Sequence, residues 1–119
     1  MSQASDEKFS HPRSVTISPA ALSMAREFAL DVGQMGYARQ VVVFDWAESI
    51  TVLEPGQPER DIGACLMIGA CRRDEVPSEA VEMVDGFALT LAIPDDAWRP
   101  DARRLIDVDE EQWFGLALR

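Results

Sequence analysis

Cys65 and Cys71, the only two cysteines of the 119-residue chain, are six positions apart in the apolar run "IGACLMIGACRRD" over residues 62–74. Thiolates can ligate soft metals or exchange as disulfides, so their spacing decides which chemistry is open to them. On one extended strand the two side chains share a face but lie about 20 Å apart, at about 3.3 Å per residue. That gap exceeds any single-ion site and any disulfide span. Gly69 is the only local residue that could bend the strand enough to close it. The lone histidine, His11, precedes the first regular element and does not complete a four-ligand set. We therefore read Cys65 and Cys71 as core thiols and expect no metal site. The two thiols with Asp61 are the remaining candidates for a ligand set.

The other chemistry-bearing residues are carboxylates and arginines. Asp45 with Glu48, Asp95 with Asp96, and Asp107 with Asp109, Glu110 and Glu111 form acidic pairs or runs. Such pairs can do acid/base work or hold a hard cation. Turn-borne carboxylates are more commonly solvated charges, and Arg72-Arg73 and Arg103-Arg104 are read the same way. A serine or cysteine nucleophile has no second histidine to serve it, and no glycine-rich phosphate loop precedes a helix. A small hydrolase using Asp45, Glu48 and Asp107 is the weakest reading. No enzyme activity and no cofactor are expected.

The elements that must position these residues follow from local pattern. Ser18-Pro19 places a capping hydroxyl before a proline at the first helical position. Ala21, Met24, Ala25, Phe28, Val32 and Met35 then recur at helical spacing, and the helix is expected to end between Gly33 and Tyr37. "QVVVFDW" and "SITVL" read as two strands of a hairpin broken at Ala47-Glu48, and "EPGQPERD" as an exposed connection. The cysteine run, apolar on both alternating sets, is expected to be a strand central in its sheet or covered on both faces. Asp85-Gly86 is a hairpin turn before "FALTLAI", whose large residues Phe87, Leu89, Leu91 and Ile93 share a face opposite Ala88, Thr90 and Ala92. "LIDV" and "WFGLAL" read as two closing strands. The fold class is α+β: one long helix packed on a mostly antiparallel or mixed sheet. Residues 1–13 are expected to be a flexible polar arm and residues 14–119 a single domain.

This order of segments resembles the HesB-like domain of A-type iron-sulfur carriers. "VTISPAALSMAREFA" is similar to that family's opening strand and alanine-rich helix, and "RQVVVF" to its next strand. "VDGFALTLAIPDDAW" and "LIDVDEEQWFGLAL" are similar to its later hairpin and closing segment. The resemblance spans about residues 14–118. It implies a HesB-like fold and a history of iron or cluster transfer. Family members carry a cysteine in a Cys-Ser-Gly context and a Cys-Gly-Cys near the C-terminus. Here Asp61-Ile62-Gly63 falls at the first position, and the chain reads to Arg119 without the second. Cys65 and Cys71 match no family ligand, so the implied metal residues transfer to none of these positions.

The resulting expectation is a HesB-like domain that has lost its cluster ligands and binds a protein partner or a small ligand. An active iron or iron-sulfur carrier, with a site assembled in a homodimer from Cys65, Cys71 and Asp61, is the alternative. The formal net charge of −10 repels phosphate backbones and anionic surfaces, so neither nucleic acid nor membrane is an expected partner. No secretory signal pattern or spanning segment is evident, and a cytoplasmic location is expected.

Overall fold

The computed structural model describes residues 8–36, 40–84 and 86–119. The expected arm over residues 1–7, Tyr37 at the expected helix end, and Asp85 of the expected turn lie outside them. Among the described residues, seven strands and one α-helix occur: β1 (Thr16–Ile17), α1 (Pro19–Gln34), β2 (Gln40–Val52), β3 (Arg60–Arg72), β4 (Glu82–Val84), β5 (Phe87–Ala92), β6 (Leu105–Val108) and β7 (Leu116–Leu118). They form a four-stranded sheet in the order β3-β2-β5-β4 and a three-stranded sheet in the order β1-β6-β7. β2 runs parallel to β5 and antiparallel to β3, and β1 runs parallel to β6. The class is α+β, with a mixed sheet under one long helix.

The helix begins as its residues dictate. The Ala21 N–H donates to Ser18 Oγ at 3.1 Å, and Pro19 occupies the first turn, where its missing N–H costs nothing. Met35 caps the C-terminal end and is followed by Gly36 at φ +88°. Ala21 and Ala25 are fully buried, and their small side chains let α1 approach the sheet closely. Leu22 and Ala29 also pack on the core, whereas Met35, expected on the apolar face, is exposed at the C-cap.

One core joins both sheets to the helix. Val42, Phe44 and Leu66 from β2 and β3, Leu89 and Leu91 from β5, Ile106 and Leu116 from β6 and β7, and Trp98 meet Ala21 and Ala25. A smaller cluster of Val41, Val76, Ala80 and Ala88 covers the opposite face of the four-stranded sheet, with Phe9, Cys71 and Val81 against it. β5 is thus covered on both sides, large residues toward the helix and small ones away, as its alternation implies. Thr90, on the small-residue side, is fully buried. Its hydroxyl donates to the Ala80 carbonyl at 2.7 Å, which fastens the short turn Ser78–Ala80 to the sheet.

Four expectations change, the first being that "WFGLAL" is a strand only from Leu116 onward, as β7. "QVVVFDW" and "SITVL" are one continuous strand, not a hairpin. The polar break at Ala47-Glu48 is a bulge, where pairing with β3 shifts between Ala47 and Ile50. The hairpin partner of β2 is instead the cysteine strand, reached through the turn at residues 53–59. That strand, expected to be central or covered on both faces, lies at the edge of its sheet, with Leu66 and Ile68 in the helix-side core and Cys71 against the reverse cluster. Finally, residues 10–13, expected in the arm, are tied to the body. Ser10 exchanges backbone hydrogen bonds of 2.9 and 3.1 Å with Leu91, and Pro12 is buried.

Candidate functional site

β3 pairs with β2 in unbroken register from Ala47 opposite Cys65 to Val41 opposite Cys71. The segment between the thiols is therefore straight, and Gly69 pairs with Val43 without a bend. At about 3.3 Å per residue the two thiols are carried about 20 Å apart, from the middle of β3 to its C-terminal end. Burial pushes both thiols above the ordinary cysteine value, and Glu75 and Asp45 push Cys71 further while Lys8 opposes them. A raised pKa disfavours the thiolate, the form in which cysteine attacks a substrate.

Asp61 stands at the start of β3, away from both cysteines. Its carboxylate accepts from the Gly63 N–H at 2.8 Å and from the Ser49 hydroxyl at 3.3–3.4 Å. Gly63 has φ +79°, a conformation favouring glycine, so Asp61 closes the irregular part of the β2–β3 pairing. His11 Nδ1 accepts the Arg13 N–H at 3.0 Å and caps the turn Pro12–Ser14. Among the described residues, no group of three or more histidine, cysteine, aspartate or glutamate side chains is placed to hold a metal ion.

The acidic pairs have separate partners. Asp107 on β6 accepts from the Ser18 side chain and from the Val108 N–H at 2.8 Å, and Arg119 lies 3.9 Å away. The Ser18 bond, then the Val108 bond, holds its carboxyl below the usual aspartate value. Asp109 takes Arg119 at 3.2 Å, Asp95 takes Arg104 at 3.0 Å, and Arg72 pairs with Asp74 at 2.8 Å. Asp45 is on β2 in the other sheet from Asp107, and Glu48 sits exposed at the bulge.

The arrangement with room for a ligand is at Trp98, between the two sheets. Pro94 starts the turn Asp95–Ala97 and Trp98 ends it, its N–H donating to the Asp95 carbonyl at 3.2 Å. The ring enters the core, leaving 6% of the residue exposed. The Arg104 guanidinium lies 5.3 Å from the ring centroid and also binds Asp95. Arg104 has φ +58°, the only positive φ outside glycine among the described residues. Its carbonyl accepts the Thr16 N–H at 2.8 Å, which holds this uncommon conformation through β1.

Two clefts open on either side of Trp46 and Trp98. The first, about 480 Å³, adds Lys8, Ser10, Asp45 and Arg104 to the two aromatic walls. The second, about 610 Å³, adds Cys65, Arg103, Asp109 and Arg119. Aromatic walls with a few charges of both signs suit a small polar ligand or an inserted side chain. Neither cleft combines an activated nucleophile with a base. The sequence pattern reads Arg104 as a solvated charge. The usable signal is the one large aromatic in the otherwise polar segment "PDDAWRPDARR".

Comparison with models of known protein families yields no match, and neither the curated proteins nor the solved structures yield one. The resemblance to the HesB-like domain therefore rests on the chain's own segments.

Proposed function

We propose that this chain is a non-enzymatic binding domain of the HesB-like kind, without cluster ligands, which takes a small ligand or a partner's side chain into the paired clefts at Trp46 and Trp98. Support for the HesB-like part is the order of its segments: "VTISPAALSMAREFA", "RQVVVF", "VDGFALTLAIPDDAW" and the closing "LIDVDEEQWFGLAL". The observation that carries the loss of cluster chemistry is the straight register of β3 between Cys65 and Cys71. Iron-sulfur ligation needs several thiolates converging on iron, and one rigid strand keeps these two apart. Within one subunit no bend brings them together, and their raised pKa values oppose thiolate formation.

The test is anaerobic incubation with iron and sulfide, followed by absorption spectroscopy and native mass measurement. The expected spectrum has no cluster bands, and the mass shows no stoichiometric metal. A cluster that forms in the native chain and is lost when Cys65→Ala and Cys71→Ala are combined would refute the proposal. It would establish instead a carrier whose site is shared between subunits.

A further inference from the structure

The loop between β6 and β7, "DEEQWFG", is closed by its own backbone. The Asp109 N–H donates to Gly115 at 2.9 Å, Gln112 to Asp109 at 3.0 Å, and Gly115 to Gln112 at 3.1 Å. Gly115 has φ +79°, and its Cα side faces Met24 of α1, where a Cβ would meet Met24 Cε at 3.6 Å. The tip is thus a fixed turn. On it two consecutive aromatics remain in solvent: Trp113 is 48% and Phe114 39% exposed. Leu53, 70% exposed, adjoins the Val52–Arg60 pair, and the Arg60 guanidinium lies 5.3 Å from the Trp113 ring centroid. The Arg60–Trp113 contact brings the turn after β2 beside the tip before β7, and each carries exposed apolar side chains.

The rim around them is acidic. Glu110 and Glu111 are exposed on the tip, and Glu54 and Glu59 are exposed on the neighbouring turn. Exposed aromatics on a rigid turn lose little entropy on binding, and tryptophan is the commonest anchor of such contacts. The charge selects among occupants. A second copy would bring the same acidic rim and a net charge of −10 against this one, and anionic lipid or nucleic acid is repelled in the same way. A cation is accepted, since the chain's own Arg60 already stacks on Trp113.

We propose that Trp113, Phe114 and Leu53, rimmed by Glu54, Glu59, Glu110 and Glu111, form a docking surface for a basic, amphipathic segment of another protein. Apolar side chains of that segment cover the aromatics, and its lysines or arginines meet the rim and the Trp113 ring. The inference rests on the binding-domain reading above and supplies the chemistry of the partner. Iron and sulfide incubation tests that reading separately, so the two failures are told apart.

The probe is a fluorescein-labelled synthetic lysine–leucine amphipathic peptide, with a glutamate–leucine peptide of the same pattern as its charge-reversed control, both titrated against the full chain by anisotropy. The lysine peptide binds at least about tenfold more tightly than its control, and Trp113→Ala weakens it by about tenfold. Trp113→Phe retains part of the affinity. Combining Glu110→Gln with Glu111→Gln weakens binding about threefold and flattens its salt dependence. Arg60→Ala tightens it, by freeing the ring and removing a like charge. Equal affinity for both peptides, or undiminished affinity in a folded Trp113→Ala chain, would overturn the proposal. So would preferential binding to phosphatidylglycerol vesicles, or a concentration-dependent dimer abolished by Trp113→Ala.

Discussion

The same pair of side chains occurs twice, with opposite consequences. At Trp98 an arginine lies 5.3 Å from the ring centroid of an indole that is 6% exposed; at Trp113 an arginine lies at the same distance from an indole that is 48% exposed. Arg104 is held in a left-handed backbone conformation, salt-bridged to Asp95 and anchored through β1. Arg60 is an exposed residue at the start of a strand. In the first pair the aromatic belongs to the core and the cation covers its outer edge. In the second the cation rests on a surface that another molecule can take. Contact geometry alone does not distinguish scaffold from interface; burial and backbone constraint do.

The largest separation is expected in stability. Trp98→Ala opens a cavity in the joined core and should cost about 3–5 kcal/mol. Trp113→Ala should cost less than about 1 kcal/mol, because the ring is half in solvent. Urea denaturation of both variants measures the gap, and equal losses would erase the distinction drawn here.

Backbone strain gives the next effect. Arg104→Ala loses the contact with Trp98 and keeps a Cβ in the left-handed region, whereas Arg104→Gly loses the contact and relieves that conformation. The glycine variant should be the more stable of the two by about 1 kcal/mol. If alanine proved equal or better, Arg104 would have to relax freely to negative φ, and its anchoring by β1 would be wrong. Arg60→Ala, by contrast, should move stability by no more than about 0.5 kcal/mol.

The smallest effect is read in pH. Asp107, on β6, has a native pKa below its unfolded value, first through Ser18 and then through Val108. Its contribution is therefore complete above the unfolded carboxylate value and disappears as pH falls through the lower native one. Asp107→Asn should lose stability near neutrality and fall less steeply with acid than the native chain. Parallel acid curves for the two would remove Asp107 from the linkage.

Much of the fold was written in local pattern, and the exceptions have physical causes. Ser18-Pro19 announced α1, and the alternation of "FALTLAI" assigned both faces of β5, because capping and side-chain period act over a few residues. "QVVVFDWAESITV" misled because Ala47-Glu48 resembles a turn, while Asp61, Ser49 and Gly63 absorb the extra length as a bulge. That accommodation comes from the partner strand and is invisible within β2. "IGACLMIGAC" suggested a strand either central or covered on both faces; the parallel pairing of β2 with β5 takes the central place and leaves the cysteine strand at the edge. Trp113 and Phe114 looked like strand residues; the hydrogen bonds of the tip make them a turn, and β7 begins only at Leu116. The site was least legible. Trp46, Trp98 and Arg104 come from distant segments, and only the meeting of two sheets gives them common walls.

The parallel pairing of β2 with β5 also sets an order of assembly. β3 follows β2 directly and can zip onto it with a short loop, whereas β5 reaches its place only after the whole intervening segment has been looped back. The hairpin should thus be the early nucleus and the insertion of β5, clasped by Ser10, the late step. Substitutions in β3 would then slow refolding, while loosening the Ser10–Leu91 clasp would chiefly hasten unfolding.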